Sequence, residues 1–311
     1  MAMTKAMFLS IGECMIEMMP LEDGHFRFGV AGDTLNTAWY VRALLPKDMW
    51  SVSYMTRLGN DPYSEKIRKF LTENSIETGF ITTDEKRRPG LYLIEVENGE
   101  RSFTYWREAS AARGLADDEA HLMTALDAAS TIYFSGITLA ILQPDRRHFL
   151  IDAIGRARKA GKMTIFDPNI RPRLWENGHT MRQTLEAAAS VTAISLPSFD
   201  DEAEIFKDQS PEACVKRYLN YGCDTVVVKN GGGPIWYGSD GKTKGIEGYE
   251  KIKPIDTTGA GDAFNGAFLA SYAANGSVEE AIQAGHSTAQ QVILHRGALM
   301  PMETIIGSAV I

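Results

Sequence analysis

A chain of 311 residues with 44% hydrophobic and 23% charged residues suits one large α/β domain and is too apolar for wholesale disorder. Its 32 Lys+Arg against 40 Asp+Glu give a formal net charge of -8, which argues against a general binder of nucleic acid or anionic membrane. Three widely spaced cysteines, Cys14, Cys214 and Cys223, exclude a disulfide framework or a CxxC zinc pair and fit a reducing cytoplasm.

The first apolar stretch, residues 6–11, is too short for a signal peptide, and Glu13 and Glu17 interrupt the residues after it, so it reads as a buried strand. No window reaches the apolar length that spans a membrane. Residues 31–38 open a helix running to about Leu45. Residues 51–57 then read as a strand and 63–73 as a helix. Residues 90–96 and 101–107 form two strand-like runs joined through Asn98-Gly99, a strong hairpin signal because both residues tolerate positive φ. Phe103 and Tyr105 share one face of the second run, and Thr104 and Trp106 the other. Aromatics on both faces point to a lid or a dimer contact; a hairpin packed on the main core is the plainer alternative. Strands at 130–135, 163–167, 191–196 and 225–229 alternate with helical stretches at 144–159, 181–189 and 203–221. That alternation predicts a mainly parallel sheet with helices on both faces.

The most informative segment is Asp256-Thr257-Thr258-Gly259-Ala260-Gly261-Asp262. Small residues let backbone approach a ligand closely. The helix that comes after it places the N–H groups of Gly259, Ala260 and Gly261 at its N-terminus, which favours an anion. Asp262 sits at the same point. It fits either a base that takes a proton from an attacking hydroxyl or a carboxylate that favours the helix dipole. Two decoys are excluded. Gly241-Lys242-Thr243 lacks the earlier glycine of a P-loop, with Trp236 in its place, and Ser239-Asp240-Gly241-Lys242 reads as a hairpin turn. Gly231-Gly232-Gly233 lacks dinucleotide-fingerprint spacing, which argues against an NAD-dependent oxidoreductase.

Near the N-terminus, Asp33 and Asn36 fall on one helical face, where both can hydrogen-bond a polyol; an N-cap and a surface Asn fit equally. Asn169 and Arg171 leave the carboxyl end of the 163–167 strand, the edge at which open α/β sheets bind ligands.

The string DTTGAGDAFNGAF closely resembles the signature of the PfkB, or ribokinase-like, sugar kinases. The resemblance implies a three-layer α/β/α fold with a mainly parallel central sheet and a small β-sheet lid. It makes residues 1–311 one kinase domain, with lid segments at about 12–31 and 89–110. It also implies Asp262 as catalytic base and the amides of Gly259, Ala260 and Gly261 as anion hole. Ala31-Gly32-Asp33 through Asn36 resembles the family's GGxxxN sugar element, with Ala31 in place of the first glycine. The Asp167-Pro168-Asn169-Ile170-Arg171 run resembles its D-x-N-x-R element, which puts Asn169 near ATP and Mg²⁺ and Arg171 near phosphate or substrate. Lys229 and Gly231 are the implied ATP contacts, with His286 bordering adenine. Asp256 and Thr258 match positions that bind a monovalent cation, K⁺, in some members. The family's N-x-x-E metal element is absent: residues 197–202 read PSFDDE, which leaves Asp201 or Glu202.

Within the family the chain looks most like the 2-keto-3-deoxygluconate kinases, on GECMIE, AGDTLNTA, PGLYLIE, FTYWREASAAR, SGITLAIL and DPNIRPRLW. A sugar acid needs a counter-cation, and an arginine fork can pair both carboxylate oxygens. Arg107 and Arg171 are expected to flank the anionic end of the substrate, with Gly32, Asp33, Asn36, Tyr92 and Tyr105 holding its remainder. The alternatives are a fructokinase or ribokinase activity, and a non-catalytic sugar-acid sensor. The resemblance implies a homo-oligomer, a dimer favoured, and the cysteine usage a cytoplasmic one.

Overall fold

The computed structural model describes residues 5–21, 23–97, 100–249 and 252–305. The strands are β1 (Ala6–Ile11), β2 (Met15–Pro20), β3 (Phe26–Ala31), β4 (Trp50–Gly59), β5 (Ile81–Asp84), β6 (Leu91–Glu97), β7 (Glu100–Trp106), β8 (Thr131–Ser135), β9 (Met163–Asp167), β10 (Ile194–Ser195), β11 (Thr225–Val228), β12 (Ile235–Ser239) and β13 (Lys242–Ile246). The helices are α1 (Asp33–Leu44), α2 (Pro62–Glu73), α3 (Glu119–Ala128), α4 (Gly136–Ile141), α5 (Pro144–Lys159), α6 (Gly178–Ser190), α7 (Phe199–Phe206), α8 (Pro211–Tyr221), α9 (Ala260–Asn275) and α10 (Val278–Val292).

Nine strands form one sheet in the order β13-β12-β11-β10-β9-β8-β1-β4-β5. Its pairings from β5 to β11 are parallel; β12 and β13 close one edge as an antiparallel hairpin. Asp240 and Gly241, at φ 52 and 72, make the expected turn of that hairpin. Side chains alternate through the sheet. Phe8, Tyr54 and Tyr133 pack into one core with α1, α9 and α10, while Leu9, Met55, Ile132 and Phe134 pack into another with α3, α5 and α6. Apolar residues on both faces of a parallel sheet require helices on both, which makes the three layers.

A second, four-stranded sheet has the order β3-β2-β6-β7. Its β6–β7 pair is the expected hairpin, in the register Tyr92↔Tyr105 and Ile94↔Phe103; the Asn98-Gly99 turn lies outside the described residues.

Three local expectations differ from the structure. The strand expected at 191–196 shortens to β10, because α6 runs on to Ser190. The helical stretch at 203–221 belongs to two helices: Lys207 turns left-handed at φ 63, and Pro211 begins α8. Gly32, not Asp33, is the N-cap of α1; Asp33 is its first helical residue.

Candidate active site

The carboxyl ends of the parallel strands meet at one edge. Glu13 follows β1, Asn169 and Arg171 follow β9, Ser198 follows β10 and Lys229 follows β11. Opposite them stand the first turns of α1 and α9, and above them the small sheet. Together they enclose a cavity of about 510 Å³. Its lining brings together Gly32, Asp33, Asn36, Tyr92, Tyr105, Arg107, Asn169, Arg171, Lys229, Thr258, Gly259, Gly261 and Asp262, so residues from 32 to 262 in the chain share one site.

Gly259 caps α9 with φ 76, a left-handed conformation, and a Cβ there would stand 2.8 Å from Cα of Ala298. Only glycine fits. The turn is fastened from behind. Asp256 accepts hydrogen bonds from the N–H and Oγ1 of Thr258 (3.1 and 2.7 Å) and from the N–H of Gly297 (2.6 Å). The Tyr40 hydroxyl donates to the carbonyl of Ala298 (2.7 Å). Ala260 departs from the expectation of three open amides: its N–H donates to the carbonyl of Thr257 (3.2 Å), and it is not part of the lining. Gly259 and Gly261 do line the cavity, where the first turn of α9 presents N–H groups without helical partners.

Asp262 lies in that first turn, partly exposed to the cavity. Its Oδ2 accepts from Nδ2 of Asn36 at 2.7 Å. Desolvation and then the neighbouring carboxylates Asp33 and Asp167 push its pKa up to about 7, against the lowering by Asn36 and Lys229. A carboxyl poised near neutrality is suited to accept a proton at working pH.

Beneath it runs a buried polar chain. Lys229 donates to Asp167 and to Oδ1 of Asn265 (both 3.0 Å). Nδ2 of Asn265 donates to Asp167 (2.6 Å) and to Tyr133 (3.2 Å). Asn169, at φ 33, donates from Nδ2 to Asp33 (2.8 Å).

The remaining expected residues divide. Arg107, 8% exposed, pairs with the buried Glu13, and Arg171, largely exposed, pairs with Asp201 at 3.4 Å. Tyr92 lines the cavity, but its hydroxyl donates to Glu17. Gly231 and His286 lie outside the lining. Gly231 is exposed in a left-handed turn, and His286 stacks on Tyr249 with centroids 3.7 Å apart. Of the two acids left by the missing asparagine, Asp201 lines the cavity. Glu202 faces the other way: it is fully buried against α8, bonded by Arg217 (2.8 Å) and Tyr218 (2.9 Å), and burial raises it to about 7. Adjacent residues of a helix point about 100° apart, which separates them.

Glu13, Asp167 as a partner of Lys229, Ser198 and Thr257 were not singled out from sequence. Glu13 and Ser198 follow the end of a strand, Asp167 is the last residue of β9 and Thr257 precedes the glycine turn, and that placement was the available signal.

The profile of the pfkB family carbohydrate kinases matches residues 5–305. Proteins named 2-dehydro-3-deoxygluconokinase from Haemophilus influenzae and Escherichia coli are each 36% identical, covering 93% and 95% of this chain and 94% and 97% of their own. A putative ribokinase II of E. coli, solved in complex with ATP and Mg²⁺, aligns over 97% of this chain and 96% of its own, at TM-score 0.80 and 22% identity. A fructokinase double mutant of Vibrio cholerae, solved in fructose-, ADP- and potassium-bound form, aligns over 96% of each chain at TM-score 0.81 and 21% identity.

Proposed function

The chain belongs to the pfkB family of carbohydrate kinases and is a phosphotransferase acting on a sugar hydroxyl; from that premise we propose that it phosphorylates 2-keto-3-deoxy-D-gluconate at its 6-hydroxyl with ATP. The observation that carries the sugar acid is the meeting of Arg107 and Arg171 in the cavity that holds Asp262, in a chain 36% identical to proteins named for that activity. Each guanidinium already has one carboxylate partner, Glu13 or Asp201, but its five N–H donors leave some for a substrate carboxylate, and a neutral sugar would need no such cations.

The lining carries five carboxylates (Glu13, Asp33, Asp167, Asp201, Asp262) and three cations (Arg107, Arg171, Lys229). That acidic excess suits a bound metal ion beside the phosphates, and Asp201 and Asn169 are the cavity residues best matched to its water shell. ATP-Mg²⁺, when bound, supplies the phosphoryl group and the charge that neutralises it. Asp262 takes the proton from the 6-hydroxyl as its oxygen bonds to phosphorus, and the bond to the ADP oxygen breaks. The α9 turn at Gly259 and Gly261 holds the phosphoryl oxygens, and Lys229 stands beside it. Asp33, Gly32 and Tyr105 orient the sugar. Gly231 and His286 are assigned to the adenosine end. Asp256 and Thr258 are the pair that would hold a potassium ion behind the turn.

The small sheet is assigned as the lid, whose closure over the cavity excludes the water that would otherwise take the phosphoryl group. Trp106 on β7, 54% exposed, and Phe26 on β3, 46% exposed, leave an exposed aromatic on each of the two edge strands of that sheet, surfaces suited to a second copy, which makes a homodimer the proposed assembly. Among the described residues, no helix is long and apolar enough to cross a membrane.

The test is ADP release by the purified chain with ATP, Mg²⁺ and a panel of 2-keto-3-deoxygluconate, its galactonate epimer, gluconate, fructose and ribose. Turnover confined to the keto-deoxy acids is expected. Turnover on fructose or ribose alone would overturn the substrate and leave the chemistry.

A further inference from the structure

The sequence offers Asn36 as a sugar contact, yet in the structure its amide is already engaged. Asn36 is 5% exposed and sits in the first turn of α1. Its Oδ1 accepts the N–H of Gly32 at 3.3 Å, and its Nδ2 donates to Oδ2 of Asp262 at 2.7 Å. A flipped amide would set Oδ1 against the carboxylate and NH₂ against the Gly32 N–H, so both partners dictate one orientation. The main chain holds the residue too: the N–H of Asn36 donates to the carbonyl of Gly32 at 2.7 Å. Gly32 cannot be exchanged cheaply, because a Cβ there would stand 2.2 Å from the carbonyl oxygen of Glu13. The amide thus ties the N-terminus of α1 to that of α9, the helix whose first turn carries the proposed base.

We propose that Asn36 is a positioning residue for Asp262: it fixes the carboxylate by Oδ2 and leaves Oδ1 to take the substrate proton. This rests on the reading of Asp262 as the base. A carboxylate free to rotate would present a productive lone pair only part of the time, and correct orientation of a reacting group is a large share of catalysis.

The geometry has an electrostatic corollary. The groups facing Asp262 are Asp33 from α1, Asp167 at the end of β9 and Lys229 after β11, with the Glu13–Arg107 pair and Tyr92 on the side of the small sheet. Two of the nearest charges are negative and raise its pKa. The Asn36 donor opposes them, because a hydrogen bond to the ionised form favours that form. Without Asn36 the carboxylate therefore protonates at higher pH, and the acid limb of kcat/KM moves up.

The experiment is the pH profile of kcat/KM and of kcat for the full chain, its Asn36→Ala variant and its isosteric Asn36→Asp variant. It is run with ATP-Mg²⁺ and whichever panel sugar the unaltered chain turns over. Asn36→Ala is expected to lower kcat about tenfold or more and to raise the acid limb. Asn36→Asp sets a second carboxylate against the base and is expected to raise the limb further, by about one pH unit or more. A residue that only held the sugar would raise KM and leave the limb in place, and that result overturns the proposal. Thermal melts of both variants show whether each is folded; if Ala fails to fold, Asp, of the same shape, carries the test. Asp262→Asn separates the two layers of inference. If it retains turnover, the base assignment falls. If it is inactive while both Asn36 variants keep the acid limb in place, only the positioning role falls.

Discussion

The two walls of the cavity are built differently. The α9 turn is fixed from behind by buried hydrogen bonds: Asp256 to Gly297, Tyr40 to Ala298, and Nε1 of Trp39 to the carbonyl of Met300 at 2.7 Å. The small sheet facing it shows the aromatics of β7 to solvent, with Phe103 37%, Tyr105 44% and Trp106 54% exposed, and the Arg107 that follows β7 pairs with Glu13, just after the end of β1. Groups that act on developing charge need a fixed position, and the first wall supplies it. A surface that admits and releases a sugar acid needs local freedom, which elements with fewer buried contacts retain. Chemistry is thus assigned to the fixed wall and selectivity to the looser one.

The largest effect expected from that division is at Asp262. Asp262→Asn keeps the shape and the α9 turn and is expected to lower kcat by about a thousandfold or more with the fold intact, read by steady-state kinetics and a circular dichroism melt. A retained kcat would remove the fixed wall from the chemistry. The same variant has a stability sign. A carboxyl whose folded pKa is raised from 3.8 to about 7 costs stability progressively as pH rises through that window, and Asn does not. The variant is therefore expected to melt higher than the unaltered chain above about pH 7, with the two converging toward pH 4.

Next is the looser wall. Arg107→Ala is expected to raise KM for the sugar acid by roughly tenfold to a hundredfold while kcat changes little, because a charge-assisted pair with the substrate carboxylate is lost. An unchanged KM would show that Arg107 serves only Glu13 and would leave selectivity to Arg171.

The smallest effect sharpens the contrast in stability. Gly259→Ala forces a Cβ into a left-handed position against Ala298 and is expected to cost about 1–3 kcal/mol in denaturant unfolding. Trp106→Ser, on the exposed sheet, should stay within about 0.5 kcal/mol for the monomer. Equal losses would mean the two walls are equally fixed.

Much of this was legible from residues alone. The bounds of α5 and β9 coincide with their hydrophobic runs, at 144–159 and 163–167, because burial on one stripe or on alternating faces leaves a period in the sequence. The glycine turn and Asp262 were legible because local backbone geometry demands local residue types. The assignment of Ala260 as an open donor failed on a single hydrogen bond inside the turn, which depends on how the turn closes.

Contacts between distant segments left no such trace. Sequence spacing says that Asp201 and Glu202 diverge on a helix, but only packing against α8 decided that Glu202 turns to Arg217 and Asp201 to the cavity. Arg107 was legible as a cation, but its pairing with Glu13, 94 residues away, was not. The sequence by itself determined the layers, the glycine turn and the kinds of charge available to the site. Tertiary structure alone decided which of those charges face the cavity and which are already paired. Periodicity and turn chemistry act over a few residues and are written locally, whereas a hydrogen bond across 226 residues, such as Asn36 to Asp262, exists only once the sheet has brought two helix ends together.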